Sequence, residues 1–285
     1  MKVSLCGAGL GAGGLDFLGF VDLAARHGFD GVDFGVGGAQ AAAEALGGID
    51  AVKARLAERG VAAATWGLDV EWRGEPETFD QGFAGFEQRA AFAAALGCDR
   101  CCTWMPPASN RPTEQWMSET AERFGAIARI LGRTGARLGL EFVGPHHLRA
   151  GGANAMGTEP TVWTVDGTLE LIARIGEPNV GFMVDSYHQY TSGATSADLV
   201  RLGDAGIVHA HINDAPAGAT PETAIDNRRV LPGDGVIDLA DYVAGLRAAG
   251  YSGYVACEVL APEPVAGDPE TAAALIRERL RALGL

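Results

Sequence analysis

Short apolar or β-branched runs alternate with longer helical patterns from end to end of the 285 residues, and eight such units can be counted. That alternation predicts an α/β protein of the (β/α)8 TIM-barrel class, in which strands pair in parallel and helices cover them. Two further observations agree. Glycines stand just before successive strands, where helix C-termini need a left-handed cap. Four consecutive strand runs also close on Glu, Asp or His, at the end of the barrel where active sites form.

The first run, Val3-Ser4-Leu5-Cys6, follows one basic residue and is too short for a signal-peptide core. It reads as strand one, and the protein is expected to be cytoplasmic. Strands two to eight are expected at 31–34, 61–65, 100–104, 138–142, 180–185, 207–212 and 254–259. The helical patterns between them stop at Gly28, Gly60, Gly97, Gly135 and Gly250. No Pro-Gly-Ser linker or low-complexity stretch divides the chain, so a single domain over 1–285 is expected. The connections 143–164 and 214–236 are the long ones, and long loops in compact domains usually carry function.

Composition excludes several partners. A formal charge of −14 repels phosphate backbones, so no nucleic acid is expected. No apolar run approaches the length that spans a bilayer, so no membrane is expected either. Lysine occurs only as Lys2 and Lys53, which argues against Schiff-base and P-loop chemistry. Cys6, Cys98, Cys101, Cys102 and Cys257 sit mostly in strand-like runs and read as reduced thiols. Cys98 and Cys101 form a lone C-x-x-C without the second pair that a zinc site needs. What fits is a small neutral molecule, with a homo-oligomer left open.

Leu138-Gly139-Leu140-Glu141 ends strand five in a carboxylate, and Gly181-Phe182-Met183-Val184-Asp185 ends strand six in another. Strand seven carries His211 in Val208-His209-Ala210-His211-Ile212, and strand eight carries Glu258 in Val255-Ala256-Cys257-Glu258-Val259. Three carboxylates on adjacent buried strands would repel one another unless a cation or protons offset them. One divalent metal ion resolves the conflict, with Glu141, Asp185, His211 and Glu258 as its ligands. Three hard oxygens and one imidazole suit Mn²⁺, the first expectation, and also Mg²⁺, Co²⁺ or Zn²⁺.

These stretches resemble the xylose isomerase-like barrel superfamily of sugar phosphate isomerases and epimerases, and within it the inosose isomerase type. The resemblance is carried by Leu140-Glu141-Phe142-Val143-Gly144, Val184-Asp185-Ser186-Tyr187-His188, His211-Ile212-Asn213-Asp214 and the run from Arg229 through Leu231-Pro232-Gly233-Asp234-Gly235 to Leu239. It implies that Glu141 and Glu258 are an acid/base pair as well as ligands, and that His188 and Arg229 contact substrate. The implied substrate is a keto-sugar or inosose, turned over through a metal-stabilised enediolate. An inosose dehydratase would use the same ion and glutamates, and nothing in the residues separates the two. The segment 145–163 is longer than in the inosose-isomerase pattern.

Other residues carry lesser expectations. Trp104 and Trp66 close strands four and three, where they either wall a sugar site or pack at the rim. His209 reads as a hydrogen-bonded core histidine, Arg228 as facing away, and His146, His147 and Trp163 as shaping the loop after strand five. The loop 261–269 has no basic residue, which speaks against a phosphate on the substrate. Gly7-Ala8-Gly9-Leu10-Gly11-Ala12, with Asp33 closing the next strand, matches a dinucleotide fingerprint. A nicotinamide-dependent dehydrogenase would leave the four strand-end ligands unexplained. An endonuclease of the three-zinc type would need more than the six histidines present.

Overall fold

The computed structural model describes residues 1–11 and 13–285. Eight parallel strands close into a barrel: β1 (Lys2–Leu5), β2 (Gly31–Phe34), β3 (Ala62–Gly67), β4 (Arg100–Met105), β5 (Arg137–Phe142), β6 (Val180–Asp185), β7 (Ile207–Ile212) and β8 (Tyr254–Cys257). Each pairs with its sequence neighbours, and β8 closes on β1 through the register Val3 to Val255. The intervening helices are α1 (Phe17–His27), α2 (Val36–Leu46), α3 (Ile49–Arg59), α4 (Pro76–Phe83), α5 (Phe86–Ala95), α6 (Thr113–Arg133), α7 (Val165–Ile175), α8 (Ser186–Ser192), α9 (Ser196–Gly206), α10 (Leu239–Ala248) and α11 (Pro269–Ala282).

The helix boundaries have local causes. Asp16, Thr164, Asp238 and Asp268 cap α1, α7, α10 and α11 by accepting a backbone N–H from the first turn. Each such cap is worth about 1 kcal/mol. The five glycines expected to stop helices all take positive φ. The buried faces of the helices, such as Phe124, Ile127, Ala128 and Leu131 of α6, cover the outward side chains Leu138, Leu140 and Phe182. Truncating one of these to Ala would cost about 2–5 kcal/mol.

Strand boundaries differ from expectation where register shifts. β2 and β3 slip between Val32 and Asp33, so Asp33 pairs with Thr65 and Phe34 with Trp66. Consequently β3 runs on to Gly67, and Trp66 is a fully buried ring stacked on Phe86 at 5.8 Å rather than a pocket wall. β8 ends one residue before Glu258, although the Glu258 N–H still reaches Ile212 O at 3.2 Å.

The cysteines are free thiols, and burial pushes Cys98 up to about 12 and Cys101 well above its ordinary value. Among the described residues no helix is long and apolar enough to cross a membrane. The glycine-rich turn after β1 packs on the loop after β8, with Gly9 against Val259 and Gly11 against Pro264. Ala12, the third fingerprint position, lies outside the described residues. The strand order is that of a closed barrel, not of an open doubly wound sheet.

Candidate metal centre

The mouth ends of β5 to β8 bring Glu141, Asp185, His211 and Glu258 together, with one donor atom from each lying within 4.8 Å of the others. His211 Nδ1 stands 3.5 Å from Glu141 Oε1, 3.9 Å from Asp185 Oδ2 and 3.4 Å from Glu258 Oε2. Local sequence explains how the strands reach this density. Gly139 lies two residues before Glu141 on the same face, and a Cβ there would sit 2.6 Å from Cys102 Sγ and 3.1 Å from Val208 Cβ. Only glycine lets the strands crowd beneath the site.

Asp185 closes β6 and also caps α8, its Oδ1 accepting from Tyr187 N and His188 N, which turns Oδ2 toward the mouth. Ser186 donates to Asn213 O at 2.8 Å and accepts from Asn213 N at 3.0 Å, clamping the ends of β6 and β7 together. Asn213 Nδ2 donates to Asp185 Oδ2, and the Tyr242 hydroxyl donates to His211 O. The runs after Val184 and after His211 are therefore one cross-braced unit.

Arg229 is not a solvated loop residue: it is 2% exposed. Its Nη1 donates to both Asp185 Oδ2 and Glu258 Oε2 at 3.0 Å, and its Nη2 donates to Asp226 Oδ1 at 2.8 Å. Arg228 faces outward as expected. Gly144 N donates to His188 Nδ1 at 3.3 Å, and Arg229 Nη2 stands 3.3 Å from His188 Nε2, so both ring nitrogens face N–H donors. Asp214 fastens the loop that delivers Arg229. Its carboxylate accepts from the backbone of Ala215, Gly233, Gly235 and Ile237, and its backbone pairs with Val230 in both directions.

Burial raises the Glu141 carboxyl, with His211 and His188 acting the other way. Burial would also raise Glu258, but the nearby His211 and Arg229 hold it below the ordinary carboxylate range. His211 is disfavoured as a cation by burial, yet Glu258, Asp33 and Glu141 lift it well above its ordinary value. Glu141 Oε1 and His211 Nδ1 are buried with no hydrogen-bond partner, which is costly unless something else contacts them. The donor set therefore fits a divalent cation, and the two orphaned atoms face the point where it would sit.

Trp104 is 40% exposed at the end of β4, in register with Glu141 on β5. Arg73 lies 4.0 Å from its ring centroid and donates to its carbonyl, covering one face of the indole. On the β1–β2 side a cavity of about 390 Å³ is lined by Gly7, Leu15, Phe17, Phe20, Asp33 and Phe34 among others. His209 is fully buried, as expected, and is bonded to Asp33. In the loop after β5, Arg149 stacks on Trp163 at 3.6 Å, and His147 Nε2 accepts from Asp226 N at 3.0 Å. The sequence reading missed Asp226, three residues before Arg229, and Asn213, although both are polar neighbours of residues it had singled out. Arg73 gives no signal in sequence.

The chain matches the family model described as xylose isomerase-like TIM barrel over residues 21–283. An inosose isomerase of Halalkalibacterium halodurans is 30% identical over 140 residues, covering 48% of this chain and 44% of that protein. The chain thus spans about half the length of the curated relatives it matches. A solved xylose isomerase domain protein from Alicyclobacillus acidocaldarius is 36% identical with a TM-score of 0.90, covering 99% of this chain and 98% of that one. IOLI protein, solved with a binding zinc atom, has a TM-score of 0.80 at 20% identity, covers 99% of this chain and 98% of its own, and speaks to the fold alone. On the extent of the family match and the 36% relative, the chain belongs to the xylose isomerase-like TIM barrel family.

Proposed function

We propose that this chain is a divalent-metal-dependent sugar isomerase or epimerase acting on a keto-sugar or inosose, with Glu141, Asp185, His211 and Glu258 as the metal ligands. The observation that carries the reading is the convergence of four donor atoms from four consecutive strand ends, two of them buried without a partner. The curated relative's name, inosose isomerase, favours a polyhydroxylated ring ketone as substrate. The zinc of IOLI protein keeps Zn²⁺ beside Mn²⁺ as the native ion.

A divalent cation here would supply positive charge next to a substrate carbonyl and so ease loss of the proton on the adjoining carbon. Glu141, whose carboxyl has a raised proton affinity and a second oxygen besides the one facing the cation position, is the group matched to take that proton and give it back. Glu258 Oε2 accepts from Arg229, so it works on the other face only as that guanidinium turns to substrate oxygens. The Arg229 guanidinium, beside the His188 ring, presents donors for those oxygens, and the free face of Trp104 can pack on the ring's C–H groups. The cavity beside Asp33 gives room for the substrate body.

Protein purified without chelator should hold about one divalent ion per chain, and His211→Ala and Asp185→Ala should each lose it. Full retention in both variants would sink the centre. With the ion in place, a panel of keto-sugars and inososes should reveal proton–deuterium exchange at the carbon beside the carbonyl. Absence of exchange and of net conversion across that panel would sink the chemistry, while water release would redirect it to dehydration.

A further inference from the structure

Asp33 is the one strand-end carboxylate that the metal reading leaves without a job. It projects from β2, on the opposite half of the barrel from the four ligands, and its side chain is 11% exposed. Among the described residues no arginine or lysine pairs with it; its partners are two imidazoles of β7. Oδ2 is bonded to His209 Nε2 at 2.8 Å and stands 3.8 Å from His211 Nε2, while Oδ1 is buried without a partner. His209 and His211, two residues apart on one face of β7, have ring centroids 5.1 Å apart and nearly perpendicular. One carboxylate thus lies at the fork of two histidine rings.

The chemistry of the imidazole fixes what that fork does. His211 turns Nδ1 to Glu141, Asp185 and Glu258, so Nδ1 is the nitrogen that would ligate. A neutral imidazole that offers the Nδ1 lone pair must carry its proton on Nε2. Asp33 Oδ2, 3.8 Å from Nε2, is the carboxylate oxygen on that side of the ring, and Oδ1 of the same group is buried without a partner. His209, donating to the same carboxylate, keeps Asp33 from turning away.

We infer that Asp33 is a positioning residue for the metal centre, holding His211 in the Nε2–H tautomer with Nδ1 directed at the cation, and that His209 anchors Asp33 in that role. The inference rests on the metal reading above. It gives the acid of the apparent dinucleotide fingerprint a place inside the barrel instead of on a ribose.

The test reads cation affinity and ring protonation, not turnover. Asp33→Asn preserves shape but can present an N–H to His211 Nε2, which favours the tautomer unable to ligate through Nδ1. Its affinity for Mn²⁺, titrated by the signal of free Mn²⁺ in electron paramagnetic resonance, should fall 10- to 100-fold, the usual effect of losing a carboxylate behind a ligating histidine. In ¹⁵N-histidine-labelled, Zn²⁺-loaded unaltered protein, His211 should show a protonated Nε2 and an unprotonated, metal-shifted Nδ1. That spectrum needs no variant to fold. Mn²⁺ affinity of Asp33→Asn within twofold of the unaltered chain, or ligation of Zn²⁺ through Nε2, would overturn the role of Asp33. Failure of the unaltered chain to bind either ion would instead overturn the metal centre, and the positioning role with it.

Discussion

The mouth ends of β5 to β8 present Glu141, Asp185, His211 and Glu258, whereas those of β1 to β4 present Cys6, Asp33, Gly67 and Trp104. Both halves repeat the same strand and helix unit, so architecture alone does not decide where the charge goes. In the C-terminal half the outgoing residues are ionisable and are cross-braced by Ser186, Asn213 and Arg229. In the N-terminal half they are mostly apolar or small, and the surroundings are aromatic: Trp72 packs on Phe124 at 4.5 Å and on Trp116 at 6.4 Å. One half gathers charge at a cost in folding, and the other supplies the wall and floor against which it is held.

The sharpest way to break this contrast is to neutralise the charged half. On an established substrate, Glu141→Gln should lower kcat by roughly 10² to 10⁴, the usual worth of a positioned acid or base, and Glu258→Gln by less. Metal content should stay near that of the unaltered chain. Near-normal kcat in both variants would remove proton transfer from these residues.

Next in size is the guanidinium that ties the half together. Arg229→Met leaves Asp185, Asp226 and Glu258 buried without their counter-charge, which should cost about 3–5 kcal/mol in urea unfolding. Added Mn²⁺ should restore part of it. Burial alone would raise Asp226, but Arg229 overcomes that and holds it below its ordinary value. A depressed carboxylate contributes stability above about pH 4 and loses it as pH falls through the folded value, so the two proteins should converge in acid. A deficit below about 1 kcal/mol at neutral pH would refute the counter-ion role.

The smallest effect belongs to the N-terminal half. Trp104→Ala removes a half-exposed ring, so stability should shift by no more than about 1 kcal/mol while KM rises severalfold at nearly constant kcat. A kcat loss as large as that of Glu141→Gln would place the indole in the chemistry itself.

Much of this division was legible in the residues. An apolar run that closes on Glu, Asp or His announces a strand whose last side chain is held at the barrel mouth, and four in succession located the cluster. Arg229 was harder, because its burial depends on Asp226 and on the Asp214 clasp, contacts between loop residues with no period to betray them. The residues alone leave Trp66 open between a site wall and packing, and it packs; the slip between β2 and β3 that shifts its register leaves no mark on composition. Asp33 was visible as a strand end, but the glycines before it offered a competing explanation. The C-terminal half, whose ionisable residues close consecutive strands, was easier to read than the contact of Asp33 with His209, which crosses the barrel.

The clasp at Asp214 also says where this barrel can change. Because Asp214 and Val230 pair by backbone in both directions, the long connection after β7 is really an outer excursion followed by a short tied return. Residues 217–223 of the excursion are mostly exposed, whereas a side chain at Gly235 would collide with Ala215 O and the Asp214 carboxylate. Insertions should therefore be tolerated in the outer turn without displacing the return, and lost at 233–237. A lineage could diversify the roof over the barrel by lengthening that turn while the machinery beneath it stayed fixed.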